Sequence, residues 1–196
     1  MQTFLPYSDF NKSAMCLDSR RLNKQLIESC QILNTILTGG GWSKHPAVLM
    51  WKDNIISLYN YSCVILEECI KRGISTNFGE SQLNRIKKVI NFVDFNIPLW
   101  LGKEEFHSSH RSRLICKGEG DIICYGLKQS LKIRSIDEWL KNHSRKTKNQ
   151  LNYSDIINLK NYYSSITNNI PLKQNHYNQF NWSDDPSNEY IWPSKL

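Results

Sequence analysis

The chain has six cysteines among its 196 residues, and no two of them form a C-x-x-C pair. The spacing that marks dithiol redox sites and zinc knuckles is therefore missing. No run approaches 18 apolar residues, so no segment reads as a membrane-spanning helix. The opening stretch, MQTFLPYSDF, lacks both the cationic and the apolar portion of a secretion signal. We therefore expect an intracellular protein, in cytoplasm or nucleus, whose cysteines are reduced and mostly buried as small hydrophobes. The phosphate loop G-x-x-x-x-G-K-[ST], the dinucleotide fingerprint G-x-G-x-x-G and the serine-hydrolase elbow G-x-S-x-G do not occur, nor does an internal repeat. Negative charge is also in short supply, with 18 Asp and Glu against 25 Lys and Arg.

The resulting charge of +7 and pI near 9.1 favour a polyanionic partner. Nucleic acid fits better than a membrane surface, because no basic amphipathic segment stands apart from the rest. At 40% hydrophobic and 11% aromatic, the chain is long enough to bury a real core. Its patterning is helical. Leu22, Leu26, Cys30, Leu33 and Leu37 recur at spacings of three and four, which predicts a helix from about Ser13 to Leu37, capped by Asn11 or Ser13 and stopped at Gly39–Gly41. A second helix should start at Pro46, with Ser43 or His45 before it, and run to about Arg72 and Gly73. A third is expected over about Ser81–Phe95, with Leu83, Ile86, Ile90 and Val93 on one stripe, and a short one over Glu104–Lys117. The glycines of KGEGD read as a turn, and IICYGLKQSL is ambiguous between strand and helix. Ser135 with Glu138, and Ser154, would begin two further helices. The last 30 residues read as an irregular tail. The fold class is all-α, a compact helical bundle over residues 1–131 with a basic and aromatic extension, 132–196, docked on it.

Candidate functional residues gather on the first helix. Arg20, Arg21, Lys24 and Glu28 project opposite the apolar face, with Asp18 and Gln25 at its edge. They form either a solvated face of i,i+3 and i,i+4 ion pairs or a phosphate-gripping face around one acid. His107, His110 and Arg111 share a helix face beside Arg113, a pattern suited either to phosphate or to structural use in the core or at the surface. Two histidines could also hold a metal, but no third ligand presents itself, so no metal or cofactor is expected. His45 is either a helix start or an imidazole at the mouth of a cleft. Trp139, Tyr162, Tyr163, Trp182 and Trp192 are expected to anchor the tail, with base stacking as the alternative.

The order of these features resembles the pyrimidine-dimer DNA glycosylases of the phage endonuclease V type, over roughly Met1–Leu127. Arg20-Arg21-Leu22-Asn23-Lys24 occupies the place of that family's Arg-Glu-Leu-Pro-Arg. SKHPAVLMW and ILEECIKRGI are similar to the opening and end of its second helix, and RSRLICKGEGDIICYG to its closing stretch. The resemblance implies a helical enzyme that flips a base in duplex DNA, attacks the sugar with its N-terminal α-amine and cleaves the backbone by β-elimination. Two positions depart from the family. Gln2 stands where the family has a small residue exposed by Met removal, and Arg21 stands at the family's catalytic glutamate.

A DNA base-excision glycosylase with AP lyase activity on damaged or modified bases is therefore expected, acting as a monomer on double-stranded DNA. On the order of a few hundred times more of an α-amine than of a lysine side chain is unprotonated near neutral pH, which favours Met1, or Gln2 after processing, over Lys24 as nucleophile. Glu28 is the expected acid/base, with Asp18 in reserve and Arg21 beside them. Arg20, Lys24, Gln25, His45, His107, His110, Arg111 and Arg113 are the expected DNA contacts. The rivals are a non-catalytic binder of bent or damaged duplex and a His-dependent metal nuclease.

Overall fold

The computed structural model describes residues 1–93 and 96–193. Among them are eight α-helices and no strand, an all-α fold. They are α1 (Phe10–Cys16), α2 (Ser19–Thr38), α3 (Pro46–Trp51), α4 (Ile55–Lys71), α5 (Asn77–Lys87), α6 (Glu104–Leu131), α7 (Ile136–Ser144) and α8 (Tyr153–Thr167). The chain divides into two compact units, Met1–His110 with the chain from Ile191, and Arg111–Tyr190. This division falls inside α6.

In the first unit, the single helix expected from Ser13 is two. Asp9, not Asn11 or Ser13, caps α1 by accepting the Lys12 N–H at 2.8 Å. The chain then opens at Leu17 and Asp18, because Asp18 caps α2 by accepting the Arg21 N–H at 3.0 Å. A short carboxylate satisfies the orphan donors of a new helix better than it continues an old one. The apolar face of α2 is buried at Leu22, Leu26, Cys30 and Leu33, while Leu37 stays 38% exposed. Gly39 ends the helix at φ 75°. Helix α2 packs on α4 and α5, and Gly79 permits the approach: a Cβ there would lie 2.5 Å from Leu26 Cδ2.

The second expected helix is also two, α3 and α4, separated at Lys52–Asn54. His45 Nδ1 caps α3 by accepting the Ala47 N–H at 3.1 Å, with Pro46 in the first turn. Helix α5 starts earlier than expected and ends at Lys87, and Val93 is 80% exposed rather than on a buried stripe. The expected end, Phe95, lies outside the described residues. The core of this unit includes Leu5, Leu17, Trp51, Leu58, Tyr61, Ile65 and Phe106.

In the second unit, α6 runs unbroken through the expected turn at Lys117–Asp121 and through the ambiguous segment after it. Its glycines are places of close approach, not stops. A Cβ at Gly118 would fall 2.1 Å from Asn175 Oδ1, and one at Gly126 would fall 2.5 Å from Leu172 Cδ2. Packing there outweighs the ~1 kcal/mol that a glycine costs a helix. Cys116, Ile123, Cys124 and Leu127 of α6 share one core with Leu140, Leu151, Ile156, Leu159 and Tyr163. Ser135 precedes α7 without a side-chain cap, and α8 is capped by Asn152 in a reciprocal box with Asp155, not by Ser154. Lys146 pairs with Asp155 at 2.6 Å, and Lys148 pairs with Asp121. Among its described residues the tail after α8 is irregular apart from a 3-10 turn at His176–Phe180, and Tyr177 within it is buried and stacked on Trp182.

All six cysteines are free, and five are buried. Burial pushes the Cys16 and Cys30 thiols up to about 12. A thiol reagent should therefore modify native protein slowly and half-buried Cys63 first, as peptide mass mapping would read. Cutting the chain after Leu131 would leave the α6 core residues without Leu140, Ile156 and Leu159. We expect that fragment to aggregate, as light scattering would register.

Candidate functional site

Residues Gln2 to Leu5 are held by a set of side chains drawn from four helices. Gln25 of α2 is 1% exposed. Its Nε2 donates to Gln2 O at 2.9 Å, and its Oε1 accepts the Phe4 N–H at 2.8 Å. The Tyr61 hydroxyl of α4 lies 3.0 Å from Phe4 O and 2.9 Å from Gln25 Oε1, its one proton shared between the two acceptors. Trp51 of α3 donates its indole N–H to Thr3 Oγ1 at 3.0 Å. From α6, His110 Nδ1 accepts the Leu5 N–H at 2.8 Å, and His107 Nδ1 lies 2.7 Å from Leu5 O. His107 Nε2 accepts the Gly102 N–H at 3.0 Å, which fixes its tautomer with the proton on Nδ1, toward Leu5 O.

The arm delivers the start of the chain to Glu28. The Gln2 N–H donates to Glu28 Oε2 at 3.1 Å, and Lys24 Nζ lies 3.7 Å from Glu28 Oε1. The Glu28 side chain is 15% exposed, while that of Lys24 is 62% exposed. His45 belongs to the same neighbourhood. Its pKa is lowered, first by desolvation and then by the positive N-terminus, with Glu28 acting in the opposite sense. Its Nδ1 is committed to the helix cap, so in the neutral imidazole Nε2 carries the proton. Two indoles stand edge-on to it, Trp42 at 5.6 Å and Trp192 at 6.1 Å. Asp18 and Arg21 are turned to each other at 2.7 Å. Arg20 is exposed.

Several expected contacts prove internal. Gln25, His107 and His110 are buried and clamp the arm, so they present no donor to a phosphate at the surface. Both ring nitrogens of His107 are engaged within the fold, by the Gly102 N–H and by Leu5 O. Arg111, 9% exposed, pairs with Asp184 at 2.7 Å and 2.9 Å, and Arg113 donates to Leu151 O at 3.5 Å. Thr3, Trp51 and Tyr61 were not anticipated as parts of the site. A glutamine interrupting an apolar stripe and an arm rich in Phe and Leu were the available signals.

The arrangement sets the peptide N–H of the second residue against a half-buried carboxylate, one residue from the chain's α-amine, with exposed Lys24 beside that carboxylate. Residues 1–80 match the family model described as pyrimidine dimer DNA glycosylase. Over that stretch the chain is similar to the pyrimidine dimer DNA glycosylases. No curated protein and no solved structure matches the chain. The stretch with the glycosylase match holds Gln2, Lys24, Gln25, Glu28, His45, Trp51 and Tyr61. The clamping histidines of α6 and Trp192 lie beyond it.

The arm's anchorage has a measurable consequence. Gln25→Leu removes the buried acceptor of the Phe4 N–H and the donor to Gln2 O, while the Tyr61 hydroxyl keeps Phe4 O, and each such loss costs ~1–3 kcal/mol. Thermal unfolding should show destabilisation of that order.

Proposed function

We propose that the protein is a DNA repair glycosylase with AP lyase activity, acting on pyrimidine dimers or other damaged bases in duplex DNA. The family match over residues 1–80 supports glycosylase function and a DNA substrate. The observation that carries the chemistry is the 3.1 Å contact of Gln2 N with Glu28 Oε2. If Met1 is retained, its α-amine attacks C1′ of the flipped nucleotide. If Met1 is removed, the new α-amine is the Gln2 nitrogen already at Glu28.

In either form the amine lone pair makes the N–C1′ bond as the base departs with the glycosidic electron pair. The amine then loses its protons and the sugar ring opens to an imine. Abstraction of a 2′ proton expels the 3′ phosphate, and hydrolysis of the imine frees the enzyme. Glu28 stabilises the developing positive charge at C1′ and shuttles protons. Arg20 and Lys24 hold phosphates beside the lesion, and the His45 Nε2–H is a donor to the leaving base. Extrusion of the nucleotide exposes C1′, and a damaged pair makes extrusion easier by a few kcal/mol.

The deciding assay is incubation with dimer-containing and abasic duplexes, with and without borohydride. Base release with a borohydride-trapped adduct supports the proposal. Binding without release would make the protein a damage-specific binder. The phosphate contacts are tested by salt: Lys24→Ala should weaken binding to all duplexes alike and reduce the slope of log K against log salt by about 0.9.

A further inference from the structure

Helix α7 and the first three turns of α8 carry a second feature, separate from the arm and from Glu28. Trp139 and His143, four residues apart on α7, stack at 4.1 Å with planes 20° apart. Tyr162 of α8 stacks on Trp139 at 5.5 Å and 27°. The His143 ring is pinned, its Nδ1 lying 2.9 Å from Trp139 O. The three near-parallel rings line a cleft of about 410 Å³, a size that suits a small-molecule ligand. Leu159, 6% exposed, gives the cleft an apolar floor, and Asn158 and Asp155 supply polar groups at its wall. His143 and Tyr162 are exposed, so a further planar ring has surface to lie on.

The electrostatics select the ligand. Asp155 would recommend a cationic guest, but Lys146 already binds it at 2.6 Å. Although partial burial raises the Asp155 pKa, that hydrogen bond and the Asn152 N–H hold it below its ordinary value. The carboxylate is thus ionised and neutralised within the protein. Around the cleft, residues 141–148 contain Lys141, Arg145, Lys146 and Lys148 and no acid. Lys146 and Lys148 are paired with Asp155 and Asp121, which leaves Lys141 and Arg145 as exposed cations of this segment; aromatic slabs beside such cations suit a flat, uncharged heterocycle attached to an anion.

We propose that the Trp139–His143–Tyr162 cleft is a stacking site for an unpaired nucleobase of single-stranded DNA, with Lys141 and Arg145 meeting the adjoining phosphates. The site accounts for a basic, aromatic segment outside the glycosylase match, and it gives the protein a hold on unpaired strand separate from its reactive end.

The test uses the full chain and a fluorescently labelled eight-nucleotide oligothymidylate, read by anisotropy. Trp139→Leu and Tyr162→Leu should each weaken binding about tenfold, while Trp139→Phe, which keeps a stacking face, should weaken it less than about threefold. Lys141→Gln should weaken binding and reduce the salt slope by about 0.7. In unmodified protein, the indole N–H resonance of Trp139 should shift during the titration, a readout that needs no variant to fold. Unchanged affinity in both leucine variants with an unmoved Trp139 resonance overturns the proposal. So does displacement of that resonance by a trimethyllysine peptide and not by the oligonucleotide. Trp139→Leu should leave borohydride trapping on an abasic duplex intact. Failure of trapping in the unmodified protein would count against the glycosylase proposal and leave the oligothymidylate result standing.

Discussion

Glu28→Gln should lower glycosylase turnover on dimer-containing duplex by ~10²-fold or more while leaving DNA affinity within about threefold. The substitution keeps the shape of the side chain and an oxygen to accept the Gln2 N–H, which Glu28 Oε2 now accepts at 3.1 Å. What it removes is the charge that stabilises a sugar cation and the site that carries a proton. The fold should survive, because Lys24 is mostly exposed and its 3.7 Å pairing with Glu28 contributes only a few tenths of a kcal/mol. Asp18→Asn is the control. Asparagine caps a helix as well as aspartate, so α2 should still begin at Ser19 and turnover should persist. Loss of turnover in Asp18→Asn with activity retained in Glu28→Gln would move the acid/base role to Asp18. Single-turnover kinetics with equilibrium binding on the same duplex separates these outcomes.

The second large effect concerns the nucleophile. On an abasic duplex, borohydride should join the protein covalently to DNA, and peptide mass should map the bond to the α-amine of Met1, or of Gln2 where Met1 has been removed. Acetylating that amine should abolish the adduct. A processed sample should also decay on standing, because an N-terminal glutamine cyclises and loses its nucleophilic nitrogen. Lys24→Ala should weaken binding and leave the adduct detectable. An adduct that survives acetylation and maps to a lysine would overturn the assignment. Base release with no adduct would instead point to water, activated by a carboxylate, as the attacking group.

Much of the architecture was legible because it is written in short-range periodicity. The apolar spacing of Leu22, Leu26, Cys30 and Leu33, the glycine at 39, the His45–Pro46 start and the stop at Gly73 each follow from the geometry of one helix and its ends. The placement of Glu28 on the polar side of α2 follows in the same way. The errors in helix length share one cause. Asp18 and Asn54 interrupt stretches whose apolar spacing runs on across them, and periodicity does not register where a new helix begins.

The sequence by itself determined an all-α chain with a basic surface, a hydrophobic arm that had to be buried, and a helix carrying one carboxylate among cations. Tertiary structure decided what that arm is buried against. Gln25 and Tyr61 meet at Phe4, His107 and His110 grip Leu5 from more than a hundred residues away, and Arg111 is claimed by Asp184, 73 residues on. It also decided that Gly118 and Gly126 are contact points within a helix, since that depends on Asn175 and Leu172 arriving from the tail. A buried polar group must find a partner, but nothing in its local sequence says which one. That choice is made only when distant segments pack together, and the same packing turned expected DNA contacts into the frame that holds the N-terminus at Glu28.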